Sequence, residues 1–178
     1  NCAYNAQISM KHFQKTQETY RKIATDYALK WYERGAILSE LDKFAALLPA
    51  EATVLDVGCG SGLDATILQA RNFTVIGLDY SFEMMRVGRD VHSHALPFCQ
   101  ADMRHLPMGQ QADGIWASAS LLHLRREELL PTLRNFWRVL KPGGLLYFSV
   151  KLGQGEKWVR AGKYGHNLER FLPFGSRK

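Results

Sequence analysis

Residues 54–62 read Val-Leu-Asp-Val-Gly-Cys-Gly-Ser-Gly, an apolar run that breaks into three alternating glycines. This stretch constrains the fold more than any other. Thr53 to Val57 has the length and branched character of a buried strand, and a helical pattern follows to about Arg71. Glycines between a strand and its helix allow left-handed backbone and let a ligand approach the main chain closely. In an open α/β sheet that turn is where ligands sit. The spacing is G-x-G-x-G. A dinucleotide fingerprint needs a further glycine at position 63, where this chain has Leu63. That departure counts against a nicotinamide dehydrogenase, while a tight turn without any ligand stays open.

The rest of the chain repeats the strand-helix alternation. Phe13, Tyr20, Ile23, Ala24, Tyr27, Ala28 and Trp31 recur at helical spacing, which predicts an amphipathic helix ending near Gly35. Leu38 to Leu48 predicts a second helix, stopped around Pro49. Further strands are predicted at Phe73 to Leu78, Pro97 to Gln100, Ile115 to Ser118 and Leu145 to Val150. Helices are expected after Ser81, a suitable N-cap, and over Arg126 to Leu140. Strands apolar on both faces and alternating with helices imply a parallel sheet covered on both sides. The fold class is thus α/β, a Rossmann-like, doubly wound, mostly parallel sheet with N-terminal helices.

At 178 residues, 46% of them hydrophobic, the chain fits one domain with an adequate core. Met10-Lys11 reads as a start, which sets residues 1–9 apart as a leader or remnant, 10–150 as the domain and 151–178 as a basic tail. The net charge of +6 sits mostly in that tail, with 7 Lys/Arg against 2 Asp/Glu in 151–178. A tail of this kind can touch nucleic acid, but a solvated tail is the favoured reading. No apolar run is long enough to span a bilayer. Cys2, Cys59 and Cys99 form neither a disulfide framework nor a metal motif. A reducing, cytoplasmic compartment is expected.

Three carboxylates lie in or at the ends of the first three strands. Asp56 lies within the first strand, Asp79 ends the second and Asp102 follows the third, with Met103 beside it. A carboxylate in the Asp79 position can accept two hydrogen bonds from a ribose diol. Asp102 can accept from an adenine amino group while the Met103 thioether packs on the ring. Each alone is equally well an ordinary strand-end acid.

Together, Val54 to Gly62, Asp79-Tyr80-Ser81-Phe82-Glu83-Met84-Met85, Ala101-Asp102-Met103, Asp113 to Leu124 and Leu140-Lys141-Pro142-Gly143-Gly144 resemble the successive motifs of class I S-adenosylmethionine-dependent methyltransferases. They are most similar to the small-molecule branch that includes ubiquinone and menaquinone enzymes. The resemblance implies S-adenosylmethionine as cofactor. It places Gly58, Cys59 and Gly60 along the methionine moiety and Asp56 near its amino group. Asp79 would hold the ribose, Tyr80 and Met84 lie against the adenosine, and Asp102 and Met103 take the adenine. Ser118 would approach the methionine end. Tyr20 and Tyr27 are candidates for a helical lid or for ordinary core packing.

His123, just past the fourth strand, is the candidate general base; a helix-start or cofactor-packing role competes with it. Ser118-Ala119-Ser120-Leu121 stands where base-directed amino methyltransferases carry Asn/Asp-Pro-Pro-aromatic. Cys59 and Cys99 are poorly placed for a pyrimidine-attacking nucleophile. A small organic acceptor is therefore expected. The family has two further strands after the fifth, whereas Val150 is followed by Gly-rich, basic sequence in which only Phe171 to Phe174 suggests a strand. The sheet is expected to be incomplete at that edge, through truncation or because a second copy covers it as a homodimer. The alternative function is a binding or interaction module that keeps the cofactor fold without turnover.

Overall fold

The computed structural model describes the backbone of residues 2–30, 35–92, 96–150, 157–161 and 168–172, and the side chains of 14–29, 37–92 and 96–150. Two helices lead, α1 (Cys2–Lys30) and α2 (Gly35–Ala46). Then come β1 (Thr53–Val57), α3 (Leu63–Gln69), β2 (Thr74–Asp79), α4 (Phe82–His92), β3 (Phe98–Gln100) and β4 (Ala112–Ala117). A 3₁₀ turn (Leu121–His123), α5 (Arg126–Val139) and β5 (Leu140–Phe148) follow. β6 (Lys157–Ala161) and β7 (Leu168–Leu172) are last. Helix α1 starts well before Met10, and Trp31 lies outside the described residues.

The five main strands are parallel in the order β3-β2-β1-β4-β5. The chain begins in the middle, winds outward through β2 and β3, then returns to the other side of β1 for β4. That reversal separates the loops after β1 and β4, and the crevice it leaves is the expected ligand position. Alternation along the strands divides the core. Val54 and Trp116 face α2 and α3, packing with Leu41, Phe44 and Leu68. Leu55, Val57, Ile115 and Ala117 face the other way, onto Leu124, Phe136 and Val139. Trp116 is fully buried, stacks on Tyr147 at 3.8 Å and donates its indole N–H to Asp64 at 2.9 Å. A buried indole needs such a partner.

Two strand readings change. The Pro142-Gly143-Gly144 stretch, which lies ahead of the strand expected from Leu145, belongs to the strand, which begins at Leu140. The irregularity the glycines signal is real. Gly143 has φ +80°, and the register against β4 shifts between Ala112 and Gly114. It is absorbed as a bulge, not a chain reversal. Among its described residues the C-terminal segment holds two strands where one was suggested. β6 and β7 pair antiparallel with each other, apart from the main sheet, and β7 runs against α1 and the 3₁₀ turn. Pairing of the two strands satisfies their main chains without the long apolar alternation by which strands are recognised in sequence. Among the described residues β5 is thus the outer strand of the main sheet, on the edge where incompleteness was expected. Among the described residues no helix is long and apolar enough to cross a membrane.

Helix α4 closes on the glycine turn through Gly88, where an added Cβ would lie 2.2 Å from the carbonyl oxygen of Ser61. Alanine favours a helix interior by about 1 kcal/mol over glycine. The backbone contact outweighs that preference, because Ser61 cannot yield without moving the turn. Gly88→Ala is therefore expected to lower stability by about 1–3 kcal/mol, the usual range for overpacking. Thermal unfolding checks this, and a melting temperature unchanged or raised would contradict it.

Candidate cofactor and acceptor site

The turn after β1 is tied to the end of β2. Gly58 and Cys59 both donate their backbone N–H to the Leu78 carbonyl, at 2.7 and 3.0 Å. Gly60 N–H donates to Asp79 Oδ2 at 2.8 Å, and Ser81 N–H donates to Asp79 Oδ1 at 2.7 Å. To make these contacts the chain adopts φ +76° at Gly58 and +57° at Gly60. Side chains other than hydrogen rarely accept that conformation. Space is limiting as well. A Cβ on Gly58 would meet Ser120 Cβ at 2.3 Å, and one on Gly60 would lie 3.2 Å from Met84 Cε. Ser81 caps α4 as expected, its Oγ accepting the Met84 N–H at 3.3 Å.

The resulting cleft contains about 1020 Å³ of space, its open mouth included. Asp56, Gly58, Cys59, Gly60, Asp79, Tyr80, Met84, Met103, Ser118 and His123 all line it, so nearly every residue singled out in the sequence converges there. Asp102 is placed differently. Ala101 and Met103 line the cleft on either side of it, while its carboxylate accepts from Arg104, with N···O distances of 2.7 to 3.0 Å. Arg104 also donates to Glu128 at 2.7 Å, and Glu128 accepts the Arg125 N–H at 2.8 Å. Asp102 thereby joins the loop after β3 to the start of α5.

Burial raises the Asp79 pKa above that of an ordinary aspartate, while the N–H groups of Ser81, Gly60 and Tyr80 oppose the rise. Burial also pushes the Cys59 thiol well up, with Asp56 and Asp79 adding to it, so the sulfur is a neutral wall rather than a nucleophile. Three carboxylates, Asp56, Asp64 and Asp79, line the cleft, and no Lys or Arg does so among the described residues. The site is an acidic pocket in a basic chain.

The mouth is crossed from α1. Tyr20 Oη and His123 Nε2 are 3.0 Å apart, with the rings edge to face at 5.3 Å. Tyr27 meets Tyr20 edge to face at 5.8 Å. Both tyrosines line the cleft while packing against the cluster of Ala24, Ala28, Met84 and Val87, as the packing reading expects. His92 ends α4, with Nε2 3.4 Å from Ser61 Oγ. Thr16 and Ser120 also line the cleft and were not singled out in the sequence. The available signal was spacing: Thr16 precedes Tyr20 by one helical turn, and Ser120 precedes His123 in the same turn.

A family model described as a methyltransferase domain matches residues 54–144, half of the chain. The malonyl-acyl-carrier-protein O-methyltransferase of Hamiltonella defensa is 30% identical over 154 residues, covering 80% of this chain and 58% of that protein. The ubiquinone biosynthesis O-methyltransferase of Salmonella arizonae is 30% identical over 131 residues, covering 69% of this chain and 52% of that protein. The chain spans about half the length of the curated relatives it matches. Among solved structures, the DhpI–SAH complex superposes with a TM-score of 0.73 over 92% of this chain and 80% of that one, at 20% identity, a likeness of fold. The matched segment runs from the glycine turn through every strand end that lines the cleft, and on that match the chain belongs to the class I S-adenosylmethionine-dependent methyltransferase family.

Proposed function

We propose that this chain binds S-adenosylmethionine in the cleft and transfers its methyl group to a small organic acceptor. The observation that carries the reading is the Asp79 carboxylate, held by Gly60 and Ser81 at the rim of a glycine turn inside an acidic pocket. The residues fit the cofactor on three counts. The turn leaves open backbone where a Cβ would intrude. The carboxylates of Asp56, Asp64 and Asp79 suit a cationic sulfonium. The thioethers of Met84 and Met103 offer apolar, polarisable surface to a nucleobase.

In this reading Gly58, Cys59, Gly60, Asp56 and Ser118 hold the amino-acid end of the cofactor. Asp79 holds the ribose, and Tyr80, Met84 and Met103 enclose the adenosine. Asp102 acts on the adenine side by fixing its loop through Arg104. S-adenosylmethionine, when bound, supplies an activated methyl group and a thioether leaving group. The chain's own contribution is to hold the acceptor in line and exclude water, and positioning can supply roughly 7–11 kcal/mol of a barrier. His123, held by Tyr20, is the group available to take a proton from an acceptor hydroxyl. Cys59 and Cys99 are both free thiols, consistent with a reducing cytoplasm.

Calorimetric titration with S-adenosylhomocysteine tests the site. Asp79→Ala is expected to weaken binding by about 10- to 150-fold, corresponding to about 1.5–3 kcal/mol for hydrogen bonds to a charged group. Equal affinity in parent and variant would remove Asp79 from the site.

Acidity offers a second test. Because the Asp79 pKa is raised, its carboxylate regains a proton at higher pH than a solvated aspartate does, and a protonated oxygen no longer accepts. Affinity should therefore fall as pH is lowered, beginning above the ordinary aspartate range, and Asp79→Asn should flatten the fall. A parent profile flat throughout the acidic range would contradict this.

Transfer of labelled methyl to a panel of phenols tests turnover and separates the enzyme from a module that only binds the cofactor. His123→Ala is expected to slow transfer by about 10²- to 10⁴-fold, the span of general-base catalysis, with S-adenosylhomocysteine affinity unchanged. Undiminished transfer would exclude His123 as the base.

A further inference from the structure

The turn that leaves β4 contains a backbone outlier. Ala119 has φ +52°, in the left-handed region that a residue with a Cβ rarely enters. Such a conformation persists where its surroundings hold it. Here the hold comes from the far side of α5. Ser149, the residue after β5, accepts the Ala119 N–H on its Oγ at 2.7 Å and donates its own N–H to the Ala117 carbonyl at 3.3 Å. The strained residue is followed by Ser120, which is turned onto the glycine loop. Ser120 Cβ and Oγ lie 2.3 and 3.2 Å from the point that a Gly58 Cβ would occupy. Ser120 is 3% exposed and lines the cleft, and its Oγ has no hydrogen-bond partner among the described residues. A hydroxyl withdrawn from water without a partner is destabilising, so its place beside Gly58 calls for a partner from outside the chain.

We infer that Ser120 is a cofactor-binding residue whose hydroxyl donates to the carboxylate of the cofactor's amino-acid end, and that Ser149 is the positioning residue that sets it there. The inference rests on the cofactor reading and adds a contact to it. Three observations lead to it. Ser120 stands at Gly58, the part of the glycine turn assigned to the amino-acid end. The cleft is lined by Asp56, Asp64 and Asp79 and, among the described residues, by no Lys or Arg, so a ligand carboxylate there needs neutral donors. A buried hydroxyl is such a donor, and the low dielectric around it strengthens the bond. The strain at Ala119 gives Ser149 its role. Glycine would adopt positive φ there without cost, whereas alanine makes the turn depend on the bond to Ser149.

The test is calorimetry on the full chain with two ligands, S-adenosylhomocysteine and decarboxylated S-adenosylhomocysteine, which keeps the amine and lacks the carboxylate. Ser120→Ala should weaken S-adenosylhomocysteine roughly 10- to 150-fold, as for a hydrogen bond to a charged group, and leave the decarboxylated ligand's affinity unchanged. Its melting temperature should not fall, because the change removes a buried hydroxyl that has no partner. Ser149→Ala should weaken S-adenosylhomocysteine roughly 3- to 10-fold, the effect of one neutral hydrogen bond. Adding Ala119→Gly to Ser149→Ala should restore most of that loss, because glycine keeps positive φ without the serine. A serine that merely supported β5 would not be rescued by a glycine in another turn. Equal S-adenosylhomocysteine affinity in parent and Ser120→Ala, or an equal loss for both ligands, would overturn the carboxylate contact while leaving the cofactor reading intact. A loss in Ser149→Ala that persists in the double variant would overturn the positioning role. Failure of S-adenosylhomocysteine to bind the parent chain would overturn the cofactor reading and this contact with it.

Discussion

The architecture of the site depends on the tie between the glycine turn and the end of β2. Leu78 accepts from two successive N–H groups of the turn, and Asp79 accepts from Gly60 and Ser81. These contacts give buried backbone donors partners in a turn that lies outside regular secondary structure. They also point the Asp79 carboxylate at the crevice that opens where the sheet order reverses. Positive φ at Gly58 and Gly60 is the local condition for this tie. Gly88, pressed against Ser61, is the tertiary condition, since it lets α4 brace the turn from outside. The site therefore depends on residues with no side chain as much as on its acids.

Charge placement explains a second property. The excess basic charge lies in 151–178, while the cleft is lined by three carboxylates. A chain of net charge +6 can thus offer a negative pocket to a cation. Helix α1 completes the enclosure through Tyr20 and Tyr27, so an N-terminal element remote in sequence from the glycine turn forms one wall of the site.

Much of this was legible in the sequence because the decisive features are local. The turn at 58–62, the acid ending β2 and the Ser81 cap are fixed by neighbours within a few residues. Each sits where the strand-helix alternation puts it. What escaped reading depends on tertiary contact. Thr16 is an unremarkable polar residue on a helix until the fold sets it in the lining of the same cleft as Ser120 and His123. Asp102 looks like a free strand-end acid until Arg104 folds back and reaches on to Glu128. The β6-β7 pair escaped because a short hairpin needs no long apolar alternation. Pro142-Gly143-Gly144 reads in the sequence as a turn before the strand, and sequence alone does not distinguish that from a bulge within it.

The central claim is that the Asp79-anchored turn is the cofactor site. A crystal structure of the chain soaked with S-adenosylhomocysteine tests it most directly. The account predicts ribose hydroxyls within hydrogen-bond distance of the Asp79 carboxylate and the amino-acid end along Gly58 to Gly60. Density for the nucleoside elsewhere, or a ribose turned away from Asp79, would contradict it.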